Sequence, residues 1–216
     1  MNLLIVAATD AEIGPLTEFF QHSSLPARVS GGVIISGVGM TSTTYELTKH
    51  LQTNKYDLVL QVGVAGSYVK SLAPGDVVFV TSDQFGDLGA EDHDAYLDIF
   101  EMGLLDKNTP PYISGRLITP LLPIHNKITL PKVSALTINT VSGSERTIKA
   151  RYEKYHCDVE SMEGAALHYV CLREKVPFAQ VRSISNYVIP RDKSQWHMKE
   201  AIISLNKWLI DFINQL

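Results

Sequence analysis

The sequence predicts an α/β protein in which helices cover both faces of a largely parallel or mixed central sheet. Three observations predict it. Short, continuously apolar runs of β type recur along the chain, LVLQVGV and DVVFVT among them, as strands buried on both faces require. Segments with helical spacing of apolar residues separate these runs. The length of 216 residues, with 45% hydrophobic and 19% charged side chains, suits one domain, residues 1–216. A domain of that size buries roughly 70% of its unfolded surface and needs no disulfide or metal staple.

The first strand is Leu3–Ala8 (LLIVAA), closed by Asp10. No positive residue precedes it and its apolar core is short, so it is not a signal peptide. Nor does any uncharged apolar stretch approach the roughly 20 residues that span a bilayer, so a cytoplasmic protein with no membrane partner is expected. A helix over Asp10–Phe20 follows, opened by Thr9-x-x-Glu12, the spacing of a capping box. The second strand, Val33–Ser36, runs into SGVGMTS ahead of a helix over Thr41–Thr53. Gly37-x-Gly39-x-x-Ser42 lacks the third glycine of a dinucleotide fingerprint, and Asp57 stands at the wrong end of the next strand to reach a ribose. A tight strand-to-helix turn with backbone amides near a ligand is the better reading. The third strand, Leu58–Val64, ends in GVAGS, whose small residues suit either a simple turn or close approach of a ligand to the main chain. After a fourth strand, Asp76–Thr81, the polar and then proline-rich segment Gly86–Pro131 reads as an elaborated loop with one helix near Ala95–Leu105. A strand over Ser134–Val141 and helices over Glu145–Lys154 and Ser161–Lys175 come next. In the second of these, Met162, Ala165, Ala166, Tyr169 and Val170 form the buried stripe, Ser161 is the cap, and Glu163 lies in the first turn. The last strand, Phe178–Ile184, ends in RSISN. The final helix, from Ser194, carries the stripe Met198, Ala201, Ile202, Leu205, Trp208, Leu209, Phe212, Ile213 and Leu216.

Several chemistries drop out. Nineteen Lys and Arg against 23 Asp and Glu give a net charge of −4, which excludes a whole-domain basic footprint for nucleic acid. Cys157 and Cys171 make neither a disulfide framework nor a zinc set. With no His-Glu-x-x-His spacing, and with His22, His50 and His125 in polar, solvent-facing context, no metal is expected. Neither a P-loop nor a Gly-x-Ser-x-Gly elbow is present. What remains is a set of chemically unusual strand ends: ATDAE, SGVGMTS, GVAGS and RSISN, joined by ESMEG at a helix start. Ligands collect at such ends in open α/β sheets. Glu12 is either a helix cap or a functional carboxylate. Asn186 either satisfies a turn or uses an amide that donates and accepts to read the edge of a heterocycle.

Taken in order, AATDAEI, SGVGMT, QVGVAGS, VSGSERT, DVESMEGAALHYV and PFAQVRSISN resemble the purine nucleoside phosphorylase and nucleosidase superfamily. The resemblance runs from Leu3 to about Trp196 and implies a three-layer fold with a mixed, partly closed central sheet. It also implies a nucleoside substrate, no cofactor, and a homodimer or larger homo-oligomer. The N-terminus is similar to nucleosidases acting on methylthioadenosine and adenosylhomocysteine. Through that similarity Glu12 takes the role of the water-activating base, and Met162 and Glu163 those of ribose-binding groups. Asn186 stands where those enzymes carry a purine-protonating aspartate. Ala65 and Gly66 of the glycine strand, and Ser144 and Arg146 of VSGSERT, fall on the base side, with Arg146 at the position of a stacking aromatic. Trp196 falls near the 5′ side.

A phosphate nucleophile needs cationic clamps. The two stretches where phosphorylases place arginines, ATDAEIGPL and LQVGVAGS, contain none, so hydrolysis is expected. An amide at position 186 suits a 6-oxopurine, and SDQFGDLGAED and RSISNYV look close to the futalosine hydrolase branch, which releases hypoxanthine from futalosine in a menaquinone route. The carboxylated 5′ group of such a substrate calls for a cation, and Arg191, His197 and His93 are the candidates. The alternatives are a methylthioadenosine/adenosylhomocysteine nucleosidase, or a non-catalytic nucleoside-binding protein on the same scaffold. Mere binding does not require a carboxylate pair such as Glu12 and Glu163.

Overall fold

The computed structural model describes residues 1–22, 26–93 and 95–216. In chain order its elements are β1 (Asn2–Ala7), α1 (Asp10–His22), β2 (Ser30–Ile35), α2 (Met40–Thr53), β3 (Leu58–Ser67), β4 (Val77–Asp83), β5 (Gly89–Asp92), β6 (Ala95–Asp98), β7 (Leu117–Ile118), β8 (Lys132–Thr137), α3 (Glu145–Tyr155), β9 (Val159–Ser161), α4 (Gly164–Glu174), β10 (Phe178–Tyr187) and α5 (Met198–Gln215). β1 lies between β2 and β3, all parallel. β3 is the hinge of the sheet: β10 runs parallel along its full length, and β9 pairs antiparallel with its last two residues. β10 then pairs antiparallel with β4, β4 parallel with β8, and β8 parallel with β9. Strands β3, β10, β4, β8 and β9 therefore close on themselves, and β1 and β2 form an open wing. This is the mixed, partly closed sheet that the family resemblance implies.

Alternation along the strands assigns the layers. Leu58, Leu60 and Val62 of β3 pack with Ile13 and Leu16 of α1 and with Leu205, Leu209, Phe212 and Ile213 of α5. On the opposite face, Leu4, Val6, Val59 and Phe178 pack with Leu47 of α2 and with Leu167, Val170 and Cys171 of α4. At roughly 1.5–3 kcal/mol per buried large aliphatic or aromatic side chain, these two clusters supply most of the drive for folding.

The structure corrects four local expectations. Ala95–Asp98 is not helical; it pairs antiparallel with Gly89–Asp92 as a hairpin, and turns follow it. Tyr96 packs with Leu136, Ile138 and Tyr155, and Phe100 and Leu105 with Tyr112, Leu117 and Ala165, so their spacing serves a strand and turns rather than one helix face. GVAGS is not a turn, because β3 continues through Ser67, held by β10 and β9 on its two edges. The strand read as Ser134–Val141 ends at Thr137. His125 is buried rather than solvent-facing: Leu122 N–H donates to its Nδ1 (2.7 Å), and its Nε2 meets the Phe178 carbonyl oxygen (2.8 Å).

One polar residue in the α5 stripe bears on α1. Asn206 is buried, and its Nδ2 donates to the Glu12 carbonyl (2.8 Å) while its Oδ1 accepts from Leu16 N–H (3.1 Å). Those two backbone groups are four apart, the pair that an uninterrupted helix joins directly. Pro15, which has no N–H to give, lies within the same turn of α1. Asn206→Leu strands both groups in the core, so urea unfolding is expected to show a loss of about 1–3 kcal/mol.

Candidate active site

The site is built around Gly63 in the middle of β3. Glu12 approaches it from α1, where its side chain is 7% exposed. Thr9 N–H and Oγ1–H both donate to its Oε2 (3.0 and 3.2 Å), so the capping contact predicted from Thr9-x-x-Glu12 is made. Its Oε1 accepts from Val64 N–H of β3 (3.1 Å). Helix cap and site residue are thus not alternatives: one oxygen starts α1, and the other faces the sheet. Oε1 retains a free acceptor direction.

Glu163 approaches from the other side. It is the residue before α4, which begins at Gly164, and Ser161 is the last residue of β9 rather than a cap. The short pairing of β9 with β8 and β3 delivers Met162 and Glu163 to the barrel mouth. Glu163 is 6% exposed. Its Oε1 accepts from Gly39 N–H (3.0 Å), an amide of the SGVGMTS turn. That amide therefore serves a protein carboxylate, which corrects the expectation that it faces a ligand. Gly39, with φ at 91°, occupies a conformation that favours glycine.

Beside Glu163 lies a residue that the motifs did not single out. Arg182 of β10 is 1% exposed, in register with Gly63 of β3, and its Nη1 is 3.5 Å from Glu163 Oε2. Its Nε donates to Gln180 Oε1 and its Nη2 to Gln61 Oε1, each at 3.0 Å. A Cβ on residue 63 would stand 2.8 Å from Glu12 Oε1 and closer still to Arg182 Nη1, so glycine is the residue that lets these groups converge. The available signal was Gln61, Gln180 and Arg182 inside otherwise apolar strands. A buried polar residue is more informative than the apolar ones around it.

Of the remaining sequence-predicted residues, Asn186 continues along β10 from this cluster, whereas Arg146 and His93 line a cleft that none of Glu12, Gly63, Glu163 or Arg182 lines. Asn186 is in register with Gly66, one residue beyond a bulge at Ser185. Its Oδ1 accepts from Ser185 Oγ–H (2.8 Å) and its Nδ2 donates to the Tyr187 carbonyl (2.9 Å), which leaves one N–H and one acceptor direction free. The same Ser185 hydroxyl reaches the Ala65 carbonyl (3.2 Å). Ser144 caps α3, accepting from Thr147 N–H (3.2 Å). Arg146 lines a cleft of about 640 Å³ between α3 and the β5–β6 hairpin, and His93 lines the same cleft. Trp196 packs under the Arg191 guanidinium, 5.4 Å from ring centre to cation, and Arg191 N–H donates to the Gly143 carbonyl (3.1 Å). His197 N–H donates to the Ser185 carbonyl (2.7 Å). The 191–197 loop is therefore tied both to the strand end bearing Asn186 and to the loop preceding Ser144. Glu160 secures that second loop from below: its Oε1 accepts from Ser142 N–H (2.9 Å), and its Oε2 from Tyr68 and Ser142 hydroxyls (2.5 Å each).

Behind Arg182 the polar network continues inward. Gln180 Nε2 donates to Asp83 Oδ2 (2.9 Å) and meets His168 Nε2 (3.1 Å). Burial holds the His168 imidazole neutral, pushing its pKa down to about 3. Burial also raises the Asp83 carboxyl to about 6, against the opposing pull of hydrogen bonds from Gln180, Thr137 and Gln84. Among the described residues, no group of three His, Cys, Asp or Glu is placed to hold a metal ion.

Comparison with known proteins agrees with this architecture. The family model described as the phosphorylase superfamily matches residues 27–214. The futalosine hydrolase of Thermus thermophilus is 28% identical over 176 residues, 79% of this chain and 75% of that protein. A 5′-methylthioadenosine/S-adenosylhomocysteine nucleosidase of Shewanella loihica is 27% identical over 203 residues, 82% of each. The crystal structure of a nucleosidase of that second type from Colwellia psychrerythraea, in complex with adenine, superposes with a TM-score of 0.82 at 18% identity. It covers 100% of this chain and 96% of that one. At that identity the match speaks for the fold.

The buried Asp83 gives the site a pH signature. Between about pH 4, where an unfolded aspartate ionises, and about 6, the native state keeps a proton that the unfolded chain has lost. Its contribution to stability therefore falls as pH rises through that window. Urea midpoints measured across it are expected to show this component in the wild type and to lack it in Asp83→Asn.

Proposed function

The chain belongs to the phosphorylase superfamily, and on that premise we propose that it is a nucleosidase that hydrolyses the N-glycosidic bond of a 6-oxopurine nucleoside, futalosine. The observation that carries the reading is the arrangement at Gly63, where the absence of a Cβ leaves room for both Glu12 Oε1 and the Arg182 guanidinium, itself paired with Glu163. The guanidinium is already paired with Glu163, so it is not free to clamp a phosphate dianion, and the neighbouring Glu12 suits an uncharged water instead. Cleavage passes through an oxocarbenium-like ribosyl cation, as in glycosidases. Glu12 takes the proton of the attacking water through the free acceptor direction on Oε1. Glu163, beside Met162, holds the ribose hydroxyls, and its charge favours the developing cation. Arg182 holds Glu163 in place. As the water oxygen bonds to C1′, the electron pair of the C1′–N9 bond leaves with the purine as its anion, which takes a proton from solvent to become hypoxanthine, while Glu12 returns its proton to solvent.

Asn186 donates its free N–H to N7 of the departing base. An amide cannot transfer a proton there, which favours hypoxanthine over adenine as leaving group. The main chain at Ala65 and Gly66, the side chains of Ser144 and Arg146, and Trp196 at the 5′ side complete the proposed pocket. Arg191, stacked on Trp196, is the best-placed of the three cation candidates for a 5′ carboxylate: its stem is already ordered by Gly143 and the ring. The products are hypoxanthine and dehypoxanthine futalosine, a step of menaquinone biosynthesis. The reading includes a cytoplasmic homodimer or larger assembly, which the exposed apolar side chains Val33, Ile35, Val38 and Tyr45 along the β2–α2 wing support.

Product analysis with futalosine and with methylthioadenosine, each with and without phosphate, tests the proposal. Hypoxanthine is expected without phosphate, and adenine at a rate at least about tenfold lower. Strict phosphate dependence would overturn hydrolysis. Preferred adenine release would move the chain to the methylthioadenosine/adenosylhomocysteine group, and tight binding without turnover would make it a nucleoside-binding protein. Glu12→Gln and Glu163→Gln are each expected to lower kcat by about a hundredfold or more while the protein stays folded by circular dichroism.

A further inference from the structure

Arg182 is oriented by neutral groups. Two amide oxygens, those of Gln180 and Gln61, take its Nε and Nη2, and Nη1 remains for Glu163. A carboxylate in either glutamine's place would compete with Glu163 for the cation. Neutral oxygens fix the plane of the guanidinium and leave its charge for the site.

Gln180 can do this only with its amide one way round. In the observed orientation Nε2 has two acceptors, Asp83 Oδ2 and His168 Nε2. The His168 nitrogen is an acceptor because the other ring nitrogen, Nδ1, donates its hydrogen to the Leu117 carbonyl (3.0 Å). Flipping the amide would set Nε2 against the Arg182 Nε donor and Oε1 against a carboxylate and a nitrogen lone pair, three mismatches in a buried place.

Asp83 also reaches the other member of the ion pair. Its Oδ1 accepts from Thr137 Oγ1–H (2.9 Å), and Thr137 Oγ1 accepts from Ala165 N–H (2.8 Å), two residues beyond Glu163. Gly164 leaves the space for this: a Cβ there would overlap Asp83 Oδ2 and the Gln180 amide.

We infer that Asp83 is a positioning residue for the Arg182–Glu163 pair, acting on Arg182 through Gln180 and on Glu163 through Thr137. Asp83 touches no substrate in this scheme. Its catalytic consequence rests on the nucleosidase reading, and its structural consequence does not.

The test compares wild type with Asp83→Asn, Gln180→Met and Thr137→Val. The amide that Asp83→Asn introduces turns an N–H toward Gln180 Nε2 and drives the glutamine amide to flip. For Asp83→Asn and Gln180→Met, kcat is expected to fall about tenfold or more with KM within about threefold, because the geometry lost is that of the transition state. Thr137→Val, the mildest of the three, is expected to lower kcat several-fold and keeps the test open if a buried-charge variant does not fold. A second readout needs no substrate: the protected Nε–H resonance of Arg182 in the 15N-labelled protein is expected to shift and lose protection in Asp83→Asn. Unchanged kcat in the folded variants together with an unchanged Arg182 resonance would overturn the inference, whatever their melting temperatures. A wild type that releases no base, alongside an Arg182 resonance that responds as expected, would overturn the proposed reaction and support the positioning role.

Discussion

A guanidinium with 1% exposure must be paired, and much of this molecule can be derived from that requirement. Removing a cation from water costs several kcal/mol even after relaxation, and deleting its partner costs roughly 3–5 kcal/mol, because the charge is then stranded. Arg182 therefore needs Glu163, and Glu163 needs to arrive at the centre of the sheet rather than at its edge. β9 serves that need. It is three residues long, yet its pairing with β8 on one side and with the end of β3 on the other closes the barrel and sends the chain inward at Met162 and Glu163. Gly63 is the complement: the parallel register of β10 on β3 puts Arg182 beside it, and the absence of a side chain there leaves room for both the guanidinium and Glu12 Oε1.

Glu12 shows how a residue can belong to a helix start and a site together. The capping contact with Thr9 fixes its χ angles, and Val64 N–H fixes the remaining oxygen, so a charged side chain in a nearly dry place keeps a single geometry. Asn206 extends this restraint to the backbone. By holding the Glu12 carbonyl and Leu16 N–H from α5, it ties the first turn of α1 to the most apolar helix of the protein. In its proposed role as general base, a residue held by its own cap, by a strand and by a second helix has little freedom left to lose on binding substrate, which is the preorganisation that catalysis by position requires.

The periodic elements were legible in the sequence: six strands and five helices fall where apolar runs and amphipathic stripes place them, within a few residues. The hairpin at Gly89–Asp98 and the three-residue β9 were not, because each is too short to show a period and is defined by its partners. The carboxylates were legible because both stand at helix starts, in motifs with a local reason to be noticed. Arg182, Gln180, Gln61 and Asp83 were hidden for the opposite reason. Each lies in a strand that reads as apolar, and only the closing of the barrel brings Asp83 from the end of β4, Gln61 from β3 and the other two from β10 into one network. Phosphate exclusion was argued from loops that lack Arg and Lys, and Arg182 qualifies it: a cation is present, but it is already committed to Glu163.

That commitment bears on the leaving group in the proposed reaction. With an aspartic acid at position 186, protonation of the purine would lower the barrier from the base side. Asn186 offers one N–H, part of whose amide is already held by Ser185 and Tyr187, so its help is a directed hydrogen bond and no more. The rest of the stabilisation must then come from the ribose side, where Glu163 faces the developing cation and Glu12 raises the nucleophilicity of water. A rigid, buried and singly compensated pair of carboxylates is the arrangement that meets this demand. Its field is least screened where the sheet has excluded water. A base that leaves well without full protonation is the natural match for such a site, and hypoxanthine, with its acceptor at O6 beside N7, fits the amide at position 186 better than adenine does.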